Sequence, residues 1–255
     1  MKLFLNPKDY IQTEAGIDLS IPVVSGKNNV NAWYCDPVQI EPVVAGDFIG
    51  SVTSGAPVNF KNITINPHGN GTHTECVGHI SKENFTINQC LKEFHFMARL
   101  ISVKPASFWN ETAQQTDQRI ETAQLKNRIA DWDSEEALII RTLENPEAKK
   151  THQYSGTNPT YFTTEAIDFI NSLGVKHLLV DLPSVDREED EGMLACHKRF
   201  WNYPENPWTE KTISELLYIP DNVVDGTYLI QIQIMSIESD ASPSKIVAHK
   251  IHQID

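Results

Sequence analysis

The chain has 255 residues with a hydrophobic fraction of 40% and a charged fraction of 22%, the composition of a globular protein able to bury a substantial core. Its 21 basic against 34 acidic residues give a formal net charge of −13, which argues against nucleic-acid binding because that needs a broad basic footprint. No run of about 18 apolar residues occurs, so no membrane partner is expected, and the four cysteines (Cys35, Cys76, Cys90 and Cys196) form no CxxC pair, which makes a reducing cytoplasm the simplest location.

The first residues lack the apolar centre of a signal peptide. Neither an internal repeat nor a low-complexity linker interrupts the chain, so a single domain over 1–255 is expected. The N-terminal half reads as short strands and turns: "GDFIGSVTSG" and "PVNFKNITINP" are β-branched and bounded by Gly or Pro. "FHFMARLISVKP" fits a strand ended by Pro105. "TDQRIETAQLKNRIADW" places Ile120, Ala123, Leu125 and Ile129 roughly on one side, which predicts an amphipathic helix over 116–132.

The second half is more diagnostic. "EALIIRTL" is a buried strand, and "TTEAIDFINSLGV" carries Ile167, Ile170 and Leu173 at helical spacing before Gly174 as a stop. "KHLLVDLPS" is a second apolar strand, so the three make a βαβ unit with parallel pairing. Ligands gather at the carboxyl ends of such strands, where Arg141, Thr142, Asp181 and Ser184 lie. "GTYLIQIQIMSI" alternates with a period of two, and "SKIVAHKI" should pair beside it. The expected class is α/β, a mixed β-sheet core with flanking helices and substantial antiparallel content.

The stretch "NPHGNGTHTECVGHI", from Asn66 to Ile80, concentrates chemistry. Its GxG lacks the third glycine of a dinucleotide loop, so phosphate binding is weakly signalled. His73 and Glu75 are two apart and share a face in an extended chain. His79 follows four residues after Glu75, and His68 precedes His73 across a flexible Gly-Asn-Gly turn. Three imidazoles and a carboxylate suit Zn²⁺, Mn²⁺ or Fe²⁺; a polar surface turn is the alternative.

"GTHTECVGH" resembles the H-x-G-T-H-x-D-x-P-x-H signature of the metal-dependent cyclase family, which includes bacterial-type kynurenine formamidases and isatin hydrolases. "IDLSIPV" resembles that family's N-terminal D-L-S strand, and "LGVKHLLVDLPSVD" its G-V-x-x-x-x-x-D-T-P-S-x-D segment. "CHKRF" supplies a following histidine, His197; "TISELLYI" resembles I-x-E-N-L, matching Glu215; "GTYLIQIQIMSIESDASPSKIVA" resembles the closing strand pair. Three positions depart: Gly69 stands where the signature has its first histidine, Glu75 replaces the aspartate and Val77 the proline.

The resemblance implies a swivelling β/β/α-like fold and metal-dependent hydrolysis of a small amide, formamide or cyclic amide or ester. It implies that His68, His73 and Glu75 hold one divalent ion, Zn²⁺ or Mn²⁺, that His197 and Glu215 hold a second with Glu75 bridging, and that His79 is the catalytic acid/base. It also implies a homo-oligomer, dimer or tetramer, acting on a small molecule. A catalytically silent ligand-binding protein on the same fold and a metal-dependent lyase or dehydratase are the alternatives. Asp181 and Ser184 equally suit turn capping, Glu215 suits a helix's first turn, and Cys76 suits a buried thiol. Trp33 and Tyr34 suit either a substrate wall or core packing. His95, His177, His249 and His252 are expected to be structural or surface residues, and His152 exposed.

Overall fold

The computed structural model describes residues 1–129, 132–133 and 135–254. Seven strands close into a ring: β1 (His73–Glu75), β2 (His95–Val103), β3 (Ala137–Thr142), β4 (His177–Val180), β5 (Thr212–Glu215), β6 (Gly226–Ile234) and β7 (Ala241–Gln253). Round the ring the order is β1-β5-β4-β3-β2-β6-β7, and β7 returns to β1. The run from β2 through β3 and β4 to β5 is parallel, and the remaining joins are antiparallel. Sequence and structure agree on the mixed α/β class.

Alternation along the strands sorts the core into two layers. Phe96, Ala98 and Leu100 from β2, Ala137 and Ile139 from β3, Leu179 from β4, and Ile230 and Ile232 from β6 pack together as the ring's interior. Leu138 and Ile140 from β3, Leu178 and Val180 from β4, and Ile213 from β5 face outward and pack against helices. Helix α1 (Thr164–Ser172) starts where the Thr163 hydroxyl accepts from the Ala166 N–H at 3.3 Å, and it buries Ala166, Ile167 and Ile170. Gly174, at φ +78°, ends it in the left-handed conformation that favours glycine. Helix α2 (Ala195–Trp201) adds Cys196, Phe200 and Trp201 to the same layer.

The segment expected as one helix over 116–132 divides. Gln115–Ile120 is a strand, paired antiparallel with Ala106–Asn110 and parallel with Tyr161–Phe162. Among the described residues of this segment, only Thr122–Lys126 is helical, opened by a capping box between Glu121 and Gln124. Ile120, Leu125 and Ile129 are all buried, so the apolar spacing was satisfied by a strand followed by a single helical turn. Ala130 and Asp131, also in the expected helix, lie outside the described residues.

The strands expected in the first 65 residues stay largely off the ring. Ile17–Asp18 pairs with β7, but Gln39–Pro42 pairs with Lys61–Thr64 and Val44–Ala45 with Phe48–Ile49, forming a separate arm. No helix among the described residues is long and apolar enough to cross a membrane.

Trp201 is fully buried, and its indole N–H donates to the Lys211 carbonyl at 2.9 Å. Trp201→Ala should cost about 3–5 kcal/mol in urea unfolding. A loss below about 1 kcal/mol would mean that α2 does not anchor the outer layer.

Candidate metal centre

Strand β1 is three residues long and wholly buried, although its sequence is His-Thr-Glu. The two-residue period turns Thr74 to the other face, where its hydroxyl meets the Ser214 hydroxyl at 2.8 Å. His73 and Glu75 therefore share the outward face, and register places Glu215 of β5 directly across from His73. Glu215 lies on a strand, so first-turn helix placement does not account for it.

His197 arrives from α2. The Asp186 carboxylate accepts from the backbone N–H groups of Cys196 (2.7 Å) and His197 (3.1 Å) and from His197 Nδ1 (2.6 Å). One buried carboxylate thus holds both the first turn of the helix and the ring it delivers.

The 66–72 loop delivers His68. The Asn66 N–H donates to Asn70 Oδ1 at 2.8 Å, and the Gly69 N–H donates to Asn66 Oδ1 at 3.1 Å, closing a tight turn. A Cβ at Gly69 would lie 2.5 Å from Cys35 Sγ and 2.8 Å from the Ala32 carbonyl oxygen. Position 69 therefore has no room for any side chain, and the imidazole comes from position 68.

Three imidazoles share one arrangement. His68 Nε2 faces Asp240 Oδ2 at 2.9 Å, His73 Nδ1 faces the Gly71 carbonyl oxygen at 3.0 Å, and His197 Nδ1 faces Asp186. Each outer nitrogen carries a proton that an oxygen accepts, which fixes the ring and turns the other nitrogen inward. The inner nitrogens converge on the carboxylates: His68 Nδ1 is 3.0 Å from Glu75 Oε2, His197 Nε2 is 3.1 Å from Glu75 Oε1, and His73 Nε2 is 3.5 Å from Glu215 Oε2. His79 Nδ1 lies 3.3 Å from Asp240 Oδ2 and 3.8 Å from Glu75 Oε2.

The electrostatics follow from this crowding. Burial alone would raise Glu75, but His79, His197 and His68 hold it well below the usual carboxylate range. Burial alone would lower His197, but Asp186 and Glu75 hold it well above the usual imidazole range. Within this cluster two buried atoms, His73 Nε2 and Glu75 Oε2, still lack a hydrogen bond of good geometry, although His68 Nδ1 makes an ion pair with the second. Such atoms are costly unless something else occupies them. Ligand atoms of His68, His73 and Glu75 lie within 4.8 Å of one another, as do those of Glu75, His79 and His197 and those of His68, His79 and Asp240. The donor set is nitrogen and carboxylate oxygen, which fits a borderline divalent cation. The cluster opens into a cavity of about 420 Å³, with His68, His79, His197 and Glu215 in its wall.

The structure thus gathers His68, His73, Glu75, His79, His197 and Glu215 in one place. Trp33 and Ser184 also line the cavity, whereas Tyr34 is 73% exposed. The strand-end residues Arg141, Thr142 and Asp181 are structural. Asp181 accepts from the Thr142 N–H and hydroxyl and from Lys149, and Arg141 donates to Ser102, Pro220, Val223 and Asp225. Cys76 is buried, and its thiol is pushed up by Cys90 and by burial. His177 and His249 are buried away from the cluster, and His95 and His152 are exposed. Sequence reasoning missed Asp186 and Asp240 as orienting carboxylates. Asp186 ends the "LGVKHLLVDLPSVD" stretch, but its role depends on a helix that begins nine residues later.

Residues 17–187 match the family model described as putative cyclase. The chain is 25% identical over 246 residues to a kynurenine formamidase of Bacillus mycoides (strain KBAB4), covering 94% of this chain and 100% of that protein. Among solved structures it resembles isatin hydrolase A from Ralstonia solanacearum, at a TM-score of 0.65 and 15% identity, covering 92% of this chain and 91% of that one. It also resembles a protein described as a potential metal-dependent hydrolase with cyclase activity, at a TM-score of 0.62 and 15% identity over 92% and 96% of the two chains. At these identities the structural likenesses speak to the fold.

Burial alone would lower His68, but Asp240 and Glu75 push it up to about 10 in the metal-free protein. An imidazole raised in the fold above its unfolded value of about 6.5 stabilises fully below that pH, and the contribution disappears as pH rises through about 10. Chelator-treated protein should therefore lose stability across that window in urea titrations, and Asp240→Asn should flatten the loss. The same slope in the variant would remove Asp240 as its cause. Gly69→Ala should cost about 1–3 kcal/mol by the same assay, from the contacts with Cys35 and Ala32; no change would show that the turn yields.

Proposed function

The chain belongs to the putative cyclase family, and on that premise we propose that it is a metal-dependent hydrolase cleaving a small amide, formamide or cyclic amide or ester. One observation carries the reading: His68, His73 and His197 each spend the outer nitrogen on an oxygen and aim the inner one at Glu75 or Glu215. In this reading His68, His73 and Glu75 hold one divalent ion, Zn²⁺ or Mn²⁺. His197 and Glu215 would hold a second, and Glu75 would be shared with it. A bound ion supplies Lewis acidity to a substrate carbonyl and shifts the acidity of water towards neutrality.

The protein's own groups do the rest. Asp240 faces His79 Nδ1, so Nδ1 carries the proton and Nε2 presents a lone pair with no partner among the described residues. Nε2 takes a proton from the attacking water and returns it to the leaving nitrogen. Asp240 orients two imidazoles at once, His68 and His79. Asp186 keeps His197 facing Glu75, and Trp33 offers a planar surface to the substrate.

Protein purified without chelator should carry one or two equivalents of a transition metal by elemental mass spectrometry, and His73→Ala should lose it. His79→Gln should keep the metal and lower kcat roughly 10²–10⁴-fold on a formanilide substrate, with product masses showing water added. No metal after reconstitution would favour a silent binding protein, and product without added water would favour a lyase.

We also propose that residues 1–255 act as one domain, in a cytoplasmic homo-oligomer assembled through the 39–64 arm. Val44, Phe60 and Ile63 on that arm are 68%, 57% and 64% exposed. Among residues 39–64 the charges are Glu41, Asp47 and Lys61, so two copies meet there without the repulsion that the rest of a −13 chain would impose. Light scattering should give a dimer or tetramer, and Phe60→Asp with Ile63→Asp should give the monomer; a monomeric wild type at micromolar concentration would contradict the arm's role.

A further inference from the structure

Arg187 lines the same cavity as His79, His197 and Trp33, and nothing in the reading above uses it. Its guanidinium is held rigidly. Nε donates to Asp117 Oδ2 at 3.1 Å, and Nη1 donates to the Glu189 carbonyl oxygen. Asp117 is fully buried and accepts also from Asn110 (2.8 Å), Asn158 (2.9 Å) and Tyr161 (2.8 Å). The acid that fixes Arg187 is thus well satisfied without it, while Arg187 commits only part of its fork. Nη2 has no partner among the described residues.

The nearby acids do not take up that free edge. Glu188 Oε1 accepts from the Gly156 N–H at 2.7 Å, and Asp190 accepts from the N–H groups of Gly192 (2.9 Å) and Leu194 (2.6 Å). A rigid, half-used guanidinium on a cavity wall matches a planar oxyanion, because two parallel N–H groups suit the two oxygens of a carboxylate. Trp33 in the same wall suits an aromatic ring.

We propose that Arg187 is a specificity-determining residue whose free edge binds a carboxylate carried by the aromatic part of the substrate, away from the bond that is cleaved. This inference rests on the hydrolase reading and narrows its substrate class to carboxylated aryl amides and formamides.

The test uses metal-loaded protein and two substrates that differ only in a ring carboxylate, formanilide and 4-formamidobenzoate. The wild type should favour the carboxylated substrate by roughly tenfold in kcat/KM, mainly through KM. Arg187→Gln should collapse that preference, and Arg187→Lys, which keeps the charge but not the fork, should retain part of it. No preference in the wild type, or an undiminished one in Arg187→Gln, would overturn the proposal. Thermal melts of both variants show whether losing an Asp117 partner unfolds the region, and the wild-type comparison stands without them. If neither substrate is cleaved, the hydrolase reading fails separately. Calorimetric binding of benzoate against benzamide then decides Arg187: a benzoate preference lost in Arg187→Gln supports it, and an absent preference or one undiminished in Arg187→Gln overturns it.

Discussion

Everything in the candidate site depends on the burial of Glu75. Its side chain is fully enclosed on a three-residue strand in the wall of a closed ring. Removing a carboxylate from water costs on the order of several kcal/mol unless opposite charge or a cation replaces the lost hydration. The chain answers with imidazoles: His68 and His197 sit within 3.1 Å of its two oxygens, and His79 stands at 3.8 Å. Those imidazoles in turn need acceptors behind them, and Asp240 and Asp186 provide two. The result is a shell of alternating acid and base around one strand, in a position that an ordinary core would fill with aliphatic side chains.

The ring makes this possible because β1 is antiparallel to both its neighbours, β5 and β7. Glu215 comes from the first neighbour, and Asp240 immediately precedes the second. The same ring keeps its interior apolar and presents the polar set on its outer face. There α2 covers His197, while the loops around Trp33, Asn66 and Ser184 leave a cavity. Fold and chemistry are therefore divided by strand periodicity: Thr74 turns one way, and His73 and Glu75 turn the other.

Much of this was legible in the sequence, for identifiable reasons. The continuous apolar runs of β3 and β4 and the helix between them have a single economical solution, parallel pairing across a right-handed crossover. The i, i+2 spacing of His73 and Glu75 reads directly as one face of a strand. Less legible was anything set by distant packing. Ile120, Leu125 and Ile129 satisfy a helical spacing, yet pairing with Ala106–Asn110 makes the first of them a strand residue. The displacement of the histidine from position 69 to 68 makes sense only once Cys35 and Ala32 are seen against Gly69. Asp240 was hidden for a related reason: it lies 161 residues from His79 and 172 from His68, and its neighbours Ser239 and Ala241 carry no periodic signal.

The central claim is that the inner nitrogens of His68, His73 and His197 are metal ligands, and that a cation displaces the protons of His68 and His197. Calorimetric titration of Zn²⁺ or Mn²⁺ into chelator-treated protein, in two buffers of different ionisation enthalpy at one pH near neutrality, tests it directly. The account predicts stoichiometric binding with release of at least about one proton per protein, because His68 and His197 hold protons against Glu75 in the metal-free state. Absence of binding, or binding without proton release, would contradict it.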